Sequence, residues 1–222
     1  MEYNVIEKFI SINGEGLHSG QLAVFIRFFG CNLRCAYCDS KYSYDKDEKV
    51  EVLTEQEIID YLATTGIKNV TLTGGEPLIQ KGIAELIEHI CNEGYDVEIE
   101  TNGTQDISQL SKLECRPSFT LDYKTHCAGS DLYKAMKTEN YQYLTKADCV
   151  KFVVADQQDM EDMRKVCEDF KLLEKTNVFV SPCFGQIPLP GIVAYMQSHK
   201  LNGVRMQIQL HKVVWDAAAR GV

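Results

Sequence analysis

Short apolar runs alternate with longer amphipathic stretches along nearly the whole chain. Residues 3–12 (YNVIEKFISI) read as a strand or extended lead-in. Residues 22–29 (LAVFIRFF) are apolar enough to predict a strand buried on both faces, as in a parallel sheet. Further strands are expected at 68–73, 95–101, 118–122, 148–154, 177–182 and 204–210. Between them, Thr54-Glu55-Gln56-Glu57 is a capping box, and Ile58, Ile59 and Leu62 follow it on one helical face. Ile79, Ile83, Leu86, Ile87 and Ile90 predict a second helix, and Met160, Met163, Cys167 and Phe170 a third. Helices are also expected over 130–146 and 191–199, a short one over 105–113, and a loop over 41–51. Strands alternating with helices mean βα units, a parallel sheet and right-handed crossovers. There are about six such units, whereas a full eight-fold barrel takes ~250 residues. The expected fold is α/β: an open, partial βα barrel with about six parallel strands, in one domain over 1–222.

Composition narrows the partners. With 222 residues and 45% hydrophobic positions the chain can bury a large core unaided. Its net charge of −9 argues against nucleic acid or an anionic membrane as the main partner, though a local basic pocket for a small anion is compatible with it. No apolar stretch approaches the ~20 residues that span a bilayer. The N-terminal MEYNVIEKFI lacks the basic-then-apolar pattern of a signal peptide. A cytoplasmic location, with reduced cysteines, is the expectation.

Nine cysteines are present, and three of them crowd into GCNLRCAYCDS at Gly30–Ser40. Cys31, Cys35 and Cys38 cannot all pair as disulfides, but they can converge on one inorganic centre. A closed [4Fe–4S] cluster takes four thiolates, so three suggest a cluster with one iron open. A structural zinc site is the rival; it needs a fourth ligand, and the spacing points to neither His18 nor Cys127. The other six cysteines read as small buried hydrophobes. Arg27 is a lone charge inside the apolar strand that feeds this loop. It is either structurally paired or aimed into a pocket, where its fork can bind a carboxylate.

The CxxxCxxC spacing, with aromatic Tyr37 before the third cysteine, resembles the signature of the radical S-adenosylmethionine (SAM) family. Gly74-Gly75-Glu76-Pro77, one βα unit later, resembles that family's GGE motif. The resemblance implies a [4Fe–4S] cluster on Cys31, Cys35 and Cys38 that donates an electron to SAM and releases a 5′-deoxyadenosyl radical. Two features are similar to one branch, the 7-carboxy-7-deazaguanine synthases. Ser11–Gly16 resembles their SxQGEG opening, and Ser40 stands where they bind Mg²⁺ beside the substrate. Gln209–Lys212 (QLHK) resembles their C-terminal QxHK.

That branch implies radical ring contraction of 6-carboxy-5,6,7,8-tetrahydropterin to 7-carboxy-7-deazaguanine with loss of ammonia, a step towards queuosine-type tRNA bases. By the same resemblance, SAM contacts fall at Tyr37, Cys38, Asp39, Gly74, Gly75, Glu76, Glu100, Asn102, Asp122, Tyr123, Lys124 and Ser181. Substrate contacts fall at Ile12, Asn13, Gly14, Glu15, Arg27, Thr73, His211 and Val222. An electron donor such as flavodoxin or ferredoxin and a homodimer are implied as well, and no side chain is singled out for acid–base or nucleophilic work. Two departures touch the ligand contacts: Asn13 replaces the usual Gln, and Asp122-Tyr123-Lys124 replaces Ser-Pro-Lys. Two other readings compete. A radical SAM activase that installs a glycyl radical on a protein shares the cluster loop but has no need of Asn13–Gly16 or Ser40. A zinc-binding module shares only the cysteines.

Overall fold

The computed structural model describes residues 1–129 and 131–222. One nine-stranded sheet runs through it. β1 (Glu2–Ile12) and β2 (Leu22–Phe28) form an antiparallel hairpin, and β3 (Glu51–Thr54) adds antiparallel to β1. β4 (Asn69–Gly74), β5 (Asp96–Thr101), β6 (Ser118–Tyr123), β7 (Cys149–Val154), β8 (Asn177–Pro182) and β9 (Val204–Met206) continue parallel from β2. The order is β3-β1-β2-β4-β5-β6-β7-β8-β9, so the sheet is open, with β3 and β9 at its edges. Seven parallel strands joined by six crossovers match the expected partial barrel.

α1 (Glu55–Thr65), α2 (Ile83–Asn92), α3 (Gln157–Asp169), α4 (Leu172–Lys175) and α5 (Leu189–Ser198) occupy connections between strands, and α6 (His211–Val214) follows β9. The predicted capping box is present: Glu57 N donates to Thr54 Oγ1, and Thr54 N donates to Glu57 Oε2. Such a cap contributes about 1 kcal/mol.

Side chains alternate along each parallel strand, and this sorts them into two faces. Val70, Leu72, Val97, Ile99, Phe119, Leu121, Val150, Phe152, Val178 and Val180 join the helix residues Ile58, Leu62, Leu86, Ile87, Ile90, Met160 and Met163 in one core. Most intervening positions are polar: Thr71, Thr73, Glu98, Glu100, Thr120, Asp122, Lys151 and Ser181. They fill the opposite face, where the site lies.

Several local expectations give way to tertiary contacts. Over 131–146 the chain forms short 3₁₀ turns, Leu132–Ala135 and Thr138–Gln142, rather than the expected α-helix. Lys137 N bonds Gly103 O, while Asn140 bonds Ile107 N and Gln105 O, and these contacts pull the segment onto the loop after β5. Residues 105–113 hold only the 3₁₀ turn Leu110–Lys112. Ile79 sits exposed in a 3₁₀ turn, because α2 starts only after left-handed Gly82. The expected loop at 41–51 contains the 3₁₀ turn Lys41–Tyr44 and runs into the edge strand β3. β9 ends at Met206, four residues early. The chain then crosses towards the β1–β2 loop, where Leu210 N bonds Gly14 O at 3.1 Å.

Candidate active site

The carboxyl ends of the parallel strands open onto a cavity of about 400 Å³. Its rim at one end is the cysteine loop that leaves β2. Cys31, Cys35 and Cys38 all line it, and all three are half-buried free thiols. Five hydrogen bonds fix the loop's path. Gly30 N bonds Ser43 O, Ala36 N bonds Ala128 O, Cys38 N bonds Cys35 O, and Arg34 donates to Cys31 O and Leu33 O. Leu33 is buried beneath it and joins the core.

The GGEP turn is docked on this loop. Gly75 N bonds Phe28 O and Glu76 N bonds Gly30 O at 2.9 Å. A Cβ on Gly75 would collide with Gly30 O, and one on Gly74 with Phe28 O. The glycines are needed for this close backbone approach.

Among the described residues, no three His, Cys, Asp or Glu side chains converge as a single metal ion requires. Three ligands of a four-iron cube bind three different irons and need not converge on one point, so three free thiols along one cavity wall fit a cluster. Burial pushes the Cys31 and Cys35 thiols up, so their protons leave on binding iron. Leu33 N (3.4 Å) and Asn102 Nδ2 (3.8 Å) point hydrogen-bond donors at Cys31 Sγ, as suits a sulfur carrying negative charge.

Tyr37, Asp39, Ser40, Gly74, Gly75, Glu100, Asn102, Asp122 and Lys124 line the cavity next to the thiols. Asn102 is also tied to Asn32 (3.0 Å) and, through its side-chain oxygen, to Thr104. Asp122 Oδ2 receives Lys124 Nζ at 2.9 Å, while its buried Oδ1 has no partner among the described residues. An orphan acceptor in a cavity wall is an opening for a ligand's hydroxyl or amino group. The donor set and the wall therefore fit both the cluster and SAM.

Ile12, Gly14, Glu15, Arg27, Thr73, His211 and Val222 line the remainder. Arg27 Nε donates to Glu7 Oε2 at 2.9 Å, which orients the guanidinium in the cavity wall. Thr73 Oγ1 donates to Glu100 Oε2. His211 packs on Gly14 so closely that a Cβ there would strike its ring. Burial lowers the His211 pKa and favours the neutral imidazole.

Four expected contact residues do not reach the cavity. Glu76 is fully buried, and its carboxylate accepts from Thr101 Oγ1, Asn102 N and Leu78 N. It pins the GGEP turn to the end of β5, and burial pushes its pKa up to about 7. Tyr123 follows inward-facing Asp122 on β6, so alternation turns it into the core against Phe152. Asn13 closes the β1–β2 loop, accepting from Thr71 Oγ1. Ser181 is buried behind Glu15 and donates to Glu15 Oε1 at 2.7 Å.

Sequence reasoning missed Lys151. It lines the cavity from β7, with Nζ 3.0 Å from Glu15 Oε2 and 3.7 Å from Asp122 Oδ2. Burial works against its charge, but Glu15, Asp122 and Glu100 outweigh that and hold its pKa well above the ordinary lysine value. Its signal was the one that singled out Arg27: a lone cation inside an apolar strand, here CVKFVV. Lys212, which donates to Asp39 Oδ2, and Arg220, which bonds Glu7 and Glu48, also line the cavity.

Comparison with known proteins agrees with this geometry. The model of the radical SAM superfamily matches residues 25–145. A 7-carboxy-7-deazaguanine synthase of Clostridium acetobutylicum is 49% identical over the whole of both chains. One from Methanospirillum hungatei is 35% identical, covering 95% of this chain and 84% of its own. The fold is similar to the crystal structure of QueE from Escherichia coli, with a TM-score of 0.74 at 20% identity over 94% of each chain.

Proposed function

We propose that this chain, which belongs to the radical SAM superfamily and within it to the 7-carboxy-7-deazaguanine synthases, converts 6-carboxy-5,6,7,8-tetrahydropterin to 7-carboxy-7-deazaguanine with loss of ammonia. The observation that carries this reading is a single cavity with three free thiols at one end and a ring of fixed polar side chains at the other.

Cys31, Cys35 and Cys38 would hold a [4Fe–4S] cluster, which together with SAM supplies the one-electron chemistry that starts the reaction. Gly74 and Gly75, docked without side chains on Phe28 and Gly30, would bring the turn's backbone to the cavity beside SAM. Asp122 Oδ1 offers it an acceptor. Arg27, steadied by Glu7, presents a fork to an anionic group of the pterin. Ser40 and the substrate carboxylate would share Mg²⁺, which takes oxygen ligands and keeps some for water. Glu15, Thr73 and neutral His211 surround the ring. The whole chain acts as one domain, because residues from Ile12 to Val222 meet at this cavity. A small-molecule substrate and a one-electron donor, of flavodoxin or ferredoxin type, are its partners. No helix among the described residues is long and apolar enough to cross a membrane.

The test is anaerobic incubation of reconstituted protein with SAM, a reductant, Mg²⁺ and the carboxypterin, followed by mass analysis. A product lighter than the substrate by one ammonia is expected. SAM cleavage without that product, at any Mg²⁺ concentration, would remove the pterin reading and favour another radical SAM reaction.

A further inference from the structure

We propose that Lys151 and Glu15 together read the lactam edge of the pterin ring, Lys151 donating to the ring carbonyl while Glu15 accepts from the neighbouring ring N–H. This rests on the pterin reading above and assigns Lys151 a specificity-determining role at that site.

Lys151 is the one cation of β7, and strand alternation sends its neighbours Val150 and Phe152 into the helix-covered core. Its own side chain goes the other way and stays nearly buried, at 12% exposure, in the cavity wall. An ammonium has three N–H donors. Among the described residues it makes one hydrogen bond, to Glu15 Oε2, and one looser ion pair, to Asp122 Oδ2. Donor capacity therefore remains at the wall. Glu15 is fixed more fully. Ser181 Oγ holds Oε1 at 2.7 Å, while Lys151 and the more distant Gln209 Nε2 (3.4 Å) hold Oε2. A carboxylate has about four lone-pair sites, so acceptor capacity remains as well.

The result is a donor and an acceptor side by side, 3.0 Å apart, on one wall. A lactam presents the complement: a carbonyl acceptor beside an N–H donor. A ring with an amino group in place of that carbonyl would set a donor against the Lys151 donor. In a dry cavity such a mismatch leaves polar groups unpaired and costs far more than the pair gains. A purely structural Lys151, a counter-ion for Glu15 and Asp122, would show no such preference between rings.

The experiment measures equilibrium binding of two pterins to the reconstituted, SAM-loaded protein: the 4-oxo substrate and its 4-amino counterpart. The wild-type protein is expected to prefer the 4-oxo ring by about tenfold or more, the loss that follows from one charge-assisted hydrogen bond. Lys151→Met is expected to bring that ratio close to one while SAM affinity is kept. Lys151→Gln, whose amide retains an N–H donor without the charge, is expected to keep part of the preference. Equal binding of both rings by the wild-type protein overturns the proposal, whatever the variants do. So does a Lys151→Met protein that loses both affinities by the same factor. Binding of neither ring by the wild-type protein removes the pterin reading itself, and the proposal with it.

Discussion

The two ends of the cavity are built by different means. At the cysteine end, one contiguous loop carries the three thiols, and backbone contacts hold it: Gly30 to Ser43, Glu76 to Gly30, Gly75 to Phe28. Glycines are indispensable there because backbone meets backbone. At the Glu15 end, no stretch of sequence carries the site. Glu15 comes from the β1–β2 loop, Lys151 from β7, Ser181 from β8 and His211 from the last segment. Side-chain contacts hold Glu15, at Lys151–Glu15 and Ser181–Glu15, and the Leu210–Gly14 bond brings His211 to it. A reusable radical source can be encoded as a local motif. Recognition of one substrate has to be assembled across the sheet, because a flat ring must be met from several sides.

The comparison breaks first at the thiols. Cys35→Ala is expected to reduce both iron content and SAM cleavage to background in anaerobically reconstituted protein, since the remaining two thiols cannot hold a cluster that needs three. Retained cleavage at the native rate would show that the loop is not the radical source. Arg27→Ala acts only at the far end. SAM affinity should be unchanged, and pterin affinity should fall about 10- to 100-fold, the range for a lost hydrogen bond to a charged group. Unaltered pterin affinity in a titration would return Arg27 to a structural partner of Glu7.

The smallest effect is on stability. Glu98 lies below the cavity floor, where it accepts from Thr120 Oγ1, and its other oxygen is buried with no partner among the described residues. Burial, with nearby Glu100, pushes its pKa from 4.5 up to about 8. The folded chain therefore keeps a proton that the unfolded chain has lost, and stability falls as pH rises across that window. Glu98→Gln removes this slope. Its urea midpoint should exceed that of the wild type by more at about pH 8 than at about pH 6. An equal difference at both would mean that Glu98 is not held neutral.

Legibility followed the same division. Cys31, Cys35 and Cys38 announce their chemistry by spacing, and GGEP follows one βα unit later. Among the expected contact residues, Glu76 turns its carboxylate into the wall, where it holds the turn to the end of β5. Tyr123 turns into the core because adjacent strand residues face opposite ways. Lys151 was overlooked, although CVKFVV carries the same signal as LAVFIRFF with Arg27. Of the helix expected over 130–146, residue 130 lies outside the described residues, and the rest gives way to 3₁₀ turns because Lys137 and Asn140 bond to the loop after β5, contacts that no local pattern encodes.

By itself, the sequence determined what depends on neighbours along the chain. That covers the strand–helix alternation, the cap at Thr54, the cysteine loop and its glycine-rich dock, and hence the open barrel and the class of chemistry. Period and spacing are local properties, and short-range sterics and ligand geometry act on them directly. Only the tertiary structure decided which polar side chains share the inner face, that Lys151 stands between Glu15 and Asp122, and that the segment after β9 folds back onto Gly14. Those outcomes depend on strand order and register, which bring together residues more than a hundred positions apart.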